Sequence, residues 1–185
     1  MPAAQLSRDD VVARLLTVFR HRGYDGASLQ ELSKATGLGK SSLYHYFPNG
    51  KDDMVRAVLA SLDEQLREQV FAPLRAAGAP ARRIAVMIRA LDAFYAQGTA
   101  PCVLAQLVLG STHARFRGPV RAIFAEWVDA LAAVLVDAGL ARRTATARAQ
   151  DAVLRIEGAL VLAGGVGDTA IFARTLKRLP ADLLA

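Results

Sequence analysis

Apolar residues recur at three- and four-residue intervals along nearly the whole chain, and nowhere do they alternate over a useful length. That period builds helices and leaves no strand to pair. The expected fold is therefore all-α, with about nine helices. Val11, Val12, Leu15, Leu16 and Phe19 share one face of the first, with Ser7 as N-cap, Asp10 three residues on and Gly23 as a stop. Ser28 and Glu31 repeat the capping spacing before a short helix from Leu29 to Thr36, and Gly37 stands where a left-handed C-cap is wanted. A third short helix runs from Lys40 to about Phe47, and Pro48 ends it.

Beyond Pro48-Asn49-Gly50 a longer helix is expected from Lys51 to about Val70, followed by a loop from Pro73 to Pro80. Further helices are expected over about 81–97, 101–113, 119–138, 144–164 and 168–179. Pro101 and Pro119 suit first helical positions, and Asp168 suits an N-cap. The expected organisation is an N-terminal helix-turn-helix domain over 1–50 and a larger helical domain over 51–185 that binds a ligand and dimerises.

The 185 residues are enough for a proper core. Hydrophobic residues reach 53%, much of it alanine, yet no stretch approaches 18 apolar residues without a charge, so no membrane span is expected. Met1 to Asp10 carries two acids and no apolar run, which does not read as a signal peptide. A single cysteine, Cys102, excludes an intrachain disulfide and suits a reducing cytoplasm. The net charge of +6 favours a polyanionic partner. Residues 1–56 hold 8 Lys/Arg against 6 Asp/Glu, and the remainder holds 15 against 11, so charge alone does not locate a DNA site.

Two short helices joined by a glycine turn, after a longer bracing helix, form the pattern of a helix-turn-helix. The second should lie in the major groove. Leu38, Leu43 and Phe47 are spaced to face inward, against Leu32 and the first helix, which leaves Lys40, Ser41, Tyr44 and His45 facing out. Small and flexible donors at the helix start suit groove entry, and tyrosine and histidine donors suit phosphate contacts that set register. Gly39-Lys40-Ser41 imitates the end of a phosphate-binding P-loop, but that motif needs a glycine where Lys34 stands and a strand before it.

Gly23-Tyr24, Ser28-Leu29, Leu32-Ser33, Ala35, Gly37-Leu38, Leu43-Tyr44-His45-Tyr46-Phe47 and Lys51 together resemble the N-terminal domain of the TetR family of repressors, over about Val11 to Leu59. The Phe47-Pro48-Asn49-Gly50-Lys51 form is similar to that of an LmrA/YxaF-like subgroup. So are Phe124-x-x-Trp127, Ala138-Gly139-Leu140 and Glu157-Gly158-Ala159-Leu160 further on. The resemblance implies an all-helical homodimer that binds a palindromic operator in double-stranded DNA and is released by a small, largely apolar or aromatic effector. Carried over by position, it puts Ser28 and Lys51 at phosphates and Lys40 and Ser41 at bases. Ser42, Tyr44, His45 and Tyr46 fall at phosphate or base contacts.

The effector site is expected among helices from about 79 to 164. Trp127, Phe94, Tyr95, Phe116, Phe124 and Met87 supply apolar surface, and Cys102, Gln106, His113 and Glu157 supply sparse polar groups, the mixture a small-molecule pocket needs. Each aromatic also fits plain core. Glu157, in an otherwise apolar helix, suits solvent, a dimer contact or a ligand contact equally. The last two helices carry apolar stripes, Val153, Ile156 and Leu160 on one and Ile171, Phe172 and Leu176 on the other, expected to dimerise or to face the subunit's own core.

No metal is expected, because His113 and Cys102 lack partners at ligand spacing, and no cofactor is implied. No paired-carboxylate, triad or metal cluster points to an enzyme. The alternatives to an effector-responsive repressor are a constitutive helix-turn-helix DNA binder and an all-α small-molecule enzyme.

Overall fold

The computed structural model describes residues 6–111 and 113–185, with the backbone alone at His113. Among them are ten α-helical segments and no strand. They are α1 (Arg8–Gly26), α2 (Leu29–Thr36), α3 (Lys40–Tyr46), α4 (Lys51–Leu66), α5 (Ala72–Arg75), α6 (Pro80–Phe94), α7 (Val103–Leu109), α8 (His113–Asp137), α9 (Arg142–Val166) and α10 (Ala170–Leu184). A π turn, Arg67–Phe71, joins α4 to the single turn of α5, so nine helical rods result. None of the described helices is long and apolar enough to cross a membrane. The chain forms two compact units. Unit 1 comprises residues 1–63 and 103–120, and unit 2 comprises residues 64–102 and 121–185.

In unit 1 the local signals work as spaced. Ser7 and Asp10 close one capping box and Ser28 and Glu31 another, each satisfying two amide donors that a helix start leaves open. Gly37 takes φ +72°, and its N–H donates to the Ser33 carbonyl at 2.9 Å. The turn is locked from inside: the buried Thr36 hydroxyl donates to the Leu32 carbonyl at 2.8 Å, and the Ser33 hydroxyl donates to the Leu38 carbonyl at 2.6 Å. Val11, Leu15, Phe19, Leu32, Leu43, Phe47, Met54 and Val58 form the core, and α7 packs along α1. Leu38, expected to face inward, is half-buried.

Several boundaries differ from the sequence expectation, those at prolines among them; α10, for one, runs through Pro180 to Leu184. Helix continues through Pro73 to Arg75, because the preceding π turn bonds Ala72 N–H back to Arg67 and widens the backbone just before the residue that lacks a donor. α8 starts at His113, so Pro119 sits inside it. Buried Phe116 and ion-paired Arg115, both within unit 1, hold the turns that precede the proline. Pro101 lies two residues before α7. Asp168 does serve the start of α10, its carboxylate accepting from Ala170 N–H at 2.9 Å.

Unit 2 is built around α6, the second part of α8, α9 and α10. Buried Ala145, Ala149, Ala152, Ala159 and Ala163 let α9 lie close along α10. Between α6 and α7 the chain turns tightly, with Ala96, Gln97 and Gly98 all at positive φ. Gly98 is required there: a Cβ would lie 2.9 Å from Phe172 Cβ.

Candidate DNA-reading helix and effector site

α3 is seven residues long and is held from one side only. Leu43 is fully buried, and Phe47, just past its end, is almost so. The opposite side presents Lys40, Ser41, Ser42, Tyr44 and His45 to solvent. Tyr44 is 46% exposed, among the large apolar side chains that the structure leaves open to solvent. Tyr46 is half-buried, between the rings of His45 (6.0 Å) and Phe47 (6.3 Å). These are donors of several sizes on one exposed face of a short rigid helix.

The two flanking residues are already engaged. The Ser28 hydroxyl accepts from Glu31 N–H at 3.2 Å and donates to the Glu31 carboxylate at 3.0 Å, so its first role is the α2 cap. The Lys51 ammonium donates to the carbonyls of Tyr24 (2.8 Å) and Ala27 (3.1 Å) and sits 4.4 Å from the centre of the Tyr24 ring. It thereby closes the end of α1 and keeps one donor spare.

Around this lies a network that no local spacing announces. The Tyr24 hydroxyl donates to Asp52 Oδ1 at 2.6 Å, and Arg115 Nη1 donates to both Asp52 oxygens at 2.7 and 2.9 Å. The Tyr24 hydroxyl, helped by the Arg115 guanidinium, holds the Asp52 carboxyl below its ordinary value. Asp25 accepts from the Ser111 amide at 2.9 Å and from its hydroxyl. These contacts tie α1 and α4 to the start of α8 and the end of α7 across as many as 91 positions of sequence. Only Gly23-Tyr24, within the family-like run, hinted at them.

Of the residues expected at the effector site, the structure brings four together in unit 2. Tyr95 and Phe94 meet edge to face at 5.1 Å, and the Tyr95 hydroxyl donates to Cys102 Sγ at 3.7 Å. Glu157 on α9 lies beside Cys102 and Tyr95. Both its carboxylate oxygens are buried with no partner at hydrogen-bonding geometry. Burial pushes its carboxyl up to about 7, and the nearby Cys102 and Tyr95 groups only partly oppose this.

Trp127 is wholly enclosed, with its indole N–H unpartnered. Phe124 is half-buried on an open groove with Arg121, Val128, Asp129, Thr146 and Gln150. Gln106 belongs to unit 1, beside Gly23, and the His113 side chain lies outside the described residues. Among the described residues no group of three acid, histidine or cysteine side chains could hold a metal.

Of the stripes expected to dimerise or to face the subunit's own core, Val153, Ile156, Leu160, Phe172 and Leu176 are buried within this one chain, whereas Ile171 is half-buried on a groove with Gly158 and Leu162. The apolar surface that α9 leaves open is Leu154, Val161, Leu162 and Val166, between 53% and 70% exposed. Gly158 and Gly165 punctuate that stripe, and Arg155 pairs with Asp182 of α10 at 2.8 Å beside it.

A short helix presented by a left-handed glycine turn, with a buried inner face and an outer row of donors, is the helix-turn-helix of DNA-binding regulators. Residues 12–58 match the family described as bacterial regulatory proteins, tetR family. Residues 76–177 match the C-terminal domain of LmrA/YxaF-like transcriptional regulators. The chain belongs to the TetR family, in its LmrA/YxaF-like group.

It is 28% identical over 86 residues to the HTH-type transcriptional regulator LmrA of Bacillus subtilis, a match spanning 46% of either chain. Over 160 residues it is 23% identical to the HTH-type regulator YxaF of the same organism, 84% of either chain. In fold it is similar to the TetR family regulator CifR, whose structure holds 26-bp double-strand operator DNA. The TM-score is 0.77, at 24% identity, over 100% of this chain and 99% of that one.

Proposed function

We propose that the protein is a cytoplasmic repressor that binds a palindromic operator as a homodimer and lets go when a small, largely apolar effector enters unit 2. The exposed outer face of α3 carries this reading. Lys40, Ser41, Ser42, Tyr44 and His45 stand free on a helix whose inner face is pinned by Leu43 and Phe47. Lys40 and Ser41, at the helix start, read base edges. Tyr44, His45 and Tyr46 contact phosphates or bases. Ser28 and Lys51 mark the phosphates on either side, Lys51 through its one uncommitted donor. The open stripe Leu154, Val161, Leu162 and Val166 supports a twofold partner on α9, since four large apolar side chains at helical spacing are costly to leave in water.

Binding of the purified protein to a palindrome from its own promoter region, followed by fluorescence anisotropy, tests the reading. The expected result is a clear preference for the palindrome over random DNA at matched salt, with two protomers per site. Equal affinity for both DNAs would overturn it.

A further inference from the structure

Glu157 sits in unit 2 in a setting that a folded chain ordinarily avoids. Its two oxygens are buried with no partner at hydrogen-bonding geometry, although the Tyr95 and Cys102 groups beside it favour its charged form. Its near neighbours in sequence are Ile156, Gly158, Ala159 and Leu160, and the one nearby cation on α9, Arg155, is paired with Asp151 and Asp182. An unpaired buried carboxylate is destabilising, and a hydrophobic residue of similar size would cost nothing. The groups that face it are the Tyr95 hydroxyl, from the end of α6, and the Cys102 thiol, just before α7. Those two already bond each other.

Tyr95 is also the centre of an aromatic cluster. Phe94 meets it edge to face at 5.1 Å and 90°, and Phe172 at 5.9 Å and 80°. The left-handed turn Ala96–Gly98 and its fit against Phe172 hold that cluster in place. A carboxylate beside aromatic rings combines the two groups that recognise an organic cation: a countercharge and a π face. An ionised carboxylate offers acceptors only, so neither an anion nor an acceptor-only ligand could satisfy it.

We propose that Glu157, with the Tyr95, Phe94 and Phe172 rings, anchors an apolar organic cation, an amine or quaternary ammonium carried on an aromatic or aliphatic body. This rests on reading unit 2 as the effector-binding part of the chain. It names the charge that the effector carries.

The full-length protein is titrated calorimetrically at pH 8 with 1-naphthylmethylammonium, 1-naphthylmethanol and 1-naphthylacetate, which share one ring system and differ in charge. The ammonium is expected to bind at least tenfold more tightly than the alcohol, and the acetate least. Glu157→Gln is expected to abolish that preference while leaving affinity for promoter DNA unchanged. At pH 7 ammonium binding should also release a proton from wild-type protein, read as a dependence of the heat on buffer ionisation. That measurement decides the matter if Glu157→Gln does not fold.

Equal binding of ammonium and alcohol, no binding of any probe, or a preference that survives Glu157→Gln would each overturn the proposal. Promoter binding measured on the same samples separates the two readings. Intact operator binding without cation preference removes only this inference, and lost operator binding removes the repressor reading. Glu157-dependent cation binding that leaves the operator bound upholds the site and removes the release mechanism.

Discussion

Asp52 in unit 1 and Glu157 in unit 2 are both carboxylates set beside a tyrosine hydroxyl, and the chain treats them in opposite ways. Asp52, half-buried, accepts from the Tyr24 hydroxyl and the Arg115 guanidinium, so its charged form is favoured. Glu157 has both oxygens buried, and the Tyr95 and Cys102 groups beside it only partly offset that burial, so its charged form is disfavoured. The polar groups of the DNA-binding unit are largely spent on fixing geometry: two capping boxes, the Thr36 turn, the Lys51 closure and the Asp52 network. The second unit leaves a carboxylate and the Trp127 indole N–H unsatisfied in its interior. A surface that must meet a regular DNA lattice gains from rigidity; if unit 2 binds an effector, as proposed above, its unsatisfied groups are ones that a ligand can complete.

The largest expected effect tests the Glu157 side of the contrast. Its carboxyl titrates near 7 rather than at its ordinary 4.5. At roughly 1.4 kcal/mol for each pH unit, Glu157→Gln should raise stability by about 3 kcal/mol at pH 8. The folded chain holds this proton more tightly than the unfolded chain. Wild-type stability is therefore full below about pH 4.5 and declines as pH rises through 7. The Tm gap between variant and wild type should accordingly open between pH 4.5 and 8 and close at the acid end. A gap that does not change with pH would remove the contrast.

Next in size, Gly98→Ala should destabilise the chain by about 2 kcal/mol, because a Cβ at φ +88° meets Phe172 at 2.9 Å. It should also loosen the Tyr95 cluster, so near-ultraviolet circular dichroism should change with the midpoint of urea unfolding. An unchanged midpoint would mean that the turn is not braced against Phe172.

Lys40→Ala separates the two units in another way. It should weaken promoter binding by about 2 kcal/mol while moving folding stability by less than about 0.5 kcal/mol. Anisotropy and thermal melts on one sample check both, and a matching loss of stability would assign Lys40 to structure.

The smallest effect is expected at Asp52. Asp52→Asn should cost about 1 kcal/mol at pH 7. The sign is opposite to that of Glu157, since the folded carboxyl holds its proton less tightly. The stabilisation is present above the ordinary carboxylate range and is lost as pH falls through the lowered folded value. Urea melts at pH 7 and pH 3 should show the deficit at the first and little at the second.

The sequence by itself determined what is settled within a turn or two of helix. Ser28 to Glu31, Gly37, and the pair Leu43 and Phe47 were legible because a cap, a left-handed stop and an inward face each depend on residues three or four apart. The all-α class and the exposed row on α3 follow from the same short-range periods.

Where two apolar faces compete, only the tertiary structure decided. α9 carries both Val153, Ile156 and Leu160 and Leu154, Val161 and Leu162 at helical spacing, and close packing on α10 chose which face went inside. Pro73 and Pro119 read as helix boundaries, but a π turn and the Arg115 and Phe116 contacts carried the helices through them. The Tyr24–Asp52–Arg115 network and the isolation of Glu157 were out of reach for the same reason. Which polar groups find partners depends on chain segments far apart in sequence, and no local period records where those segments meet.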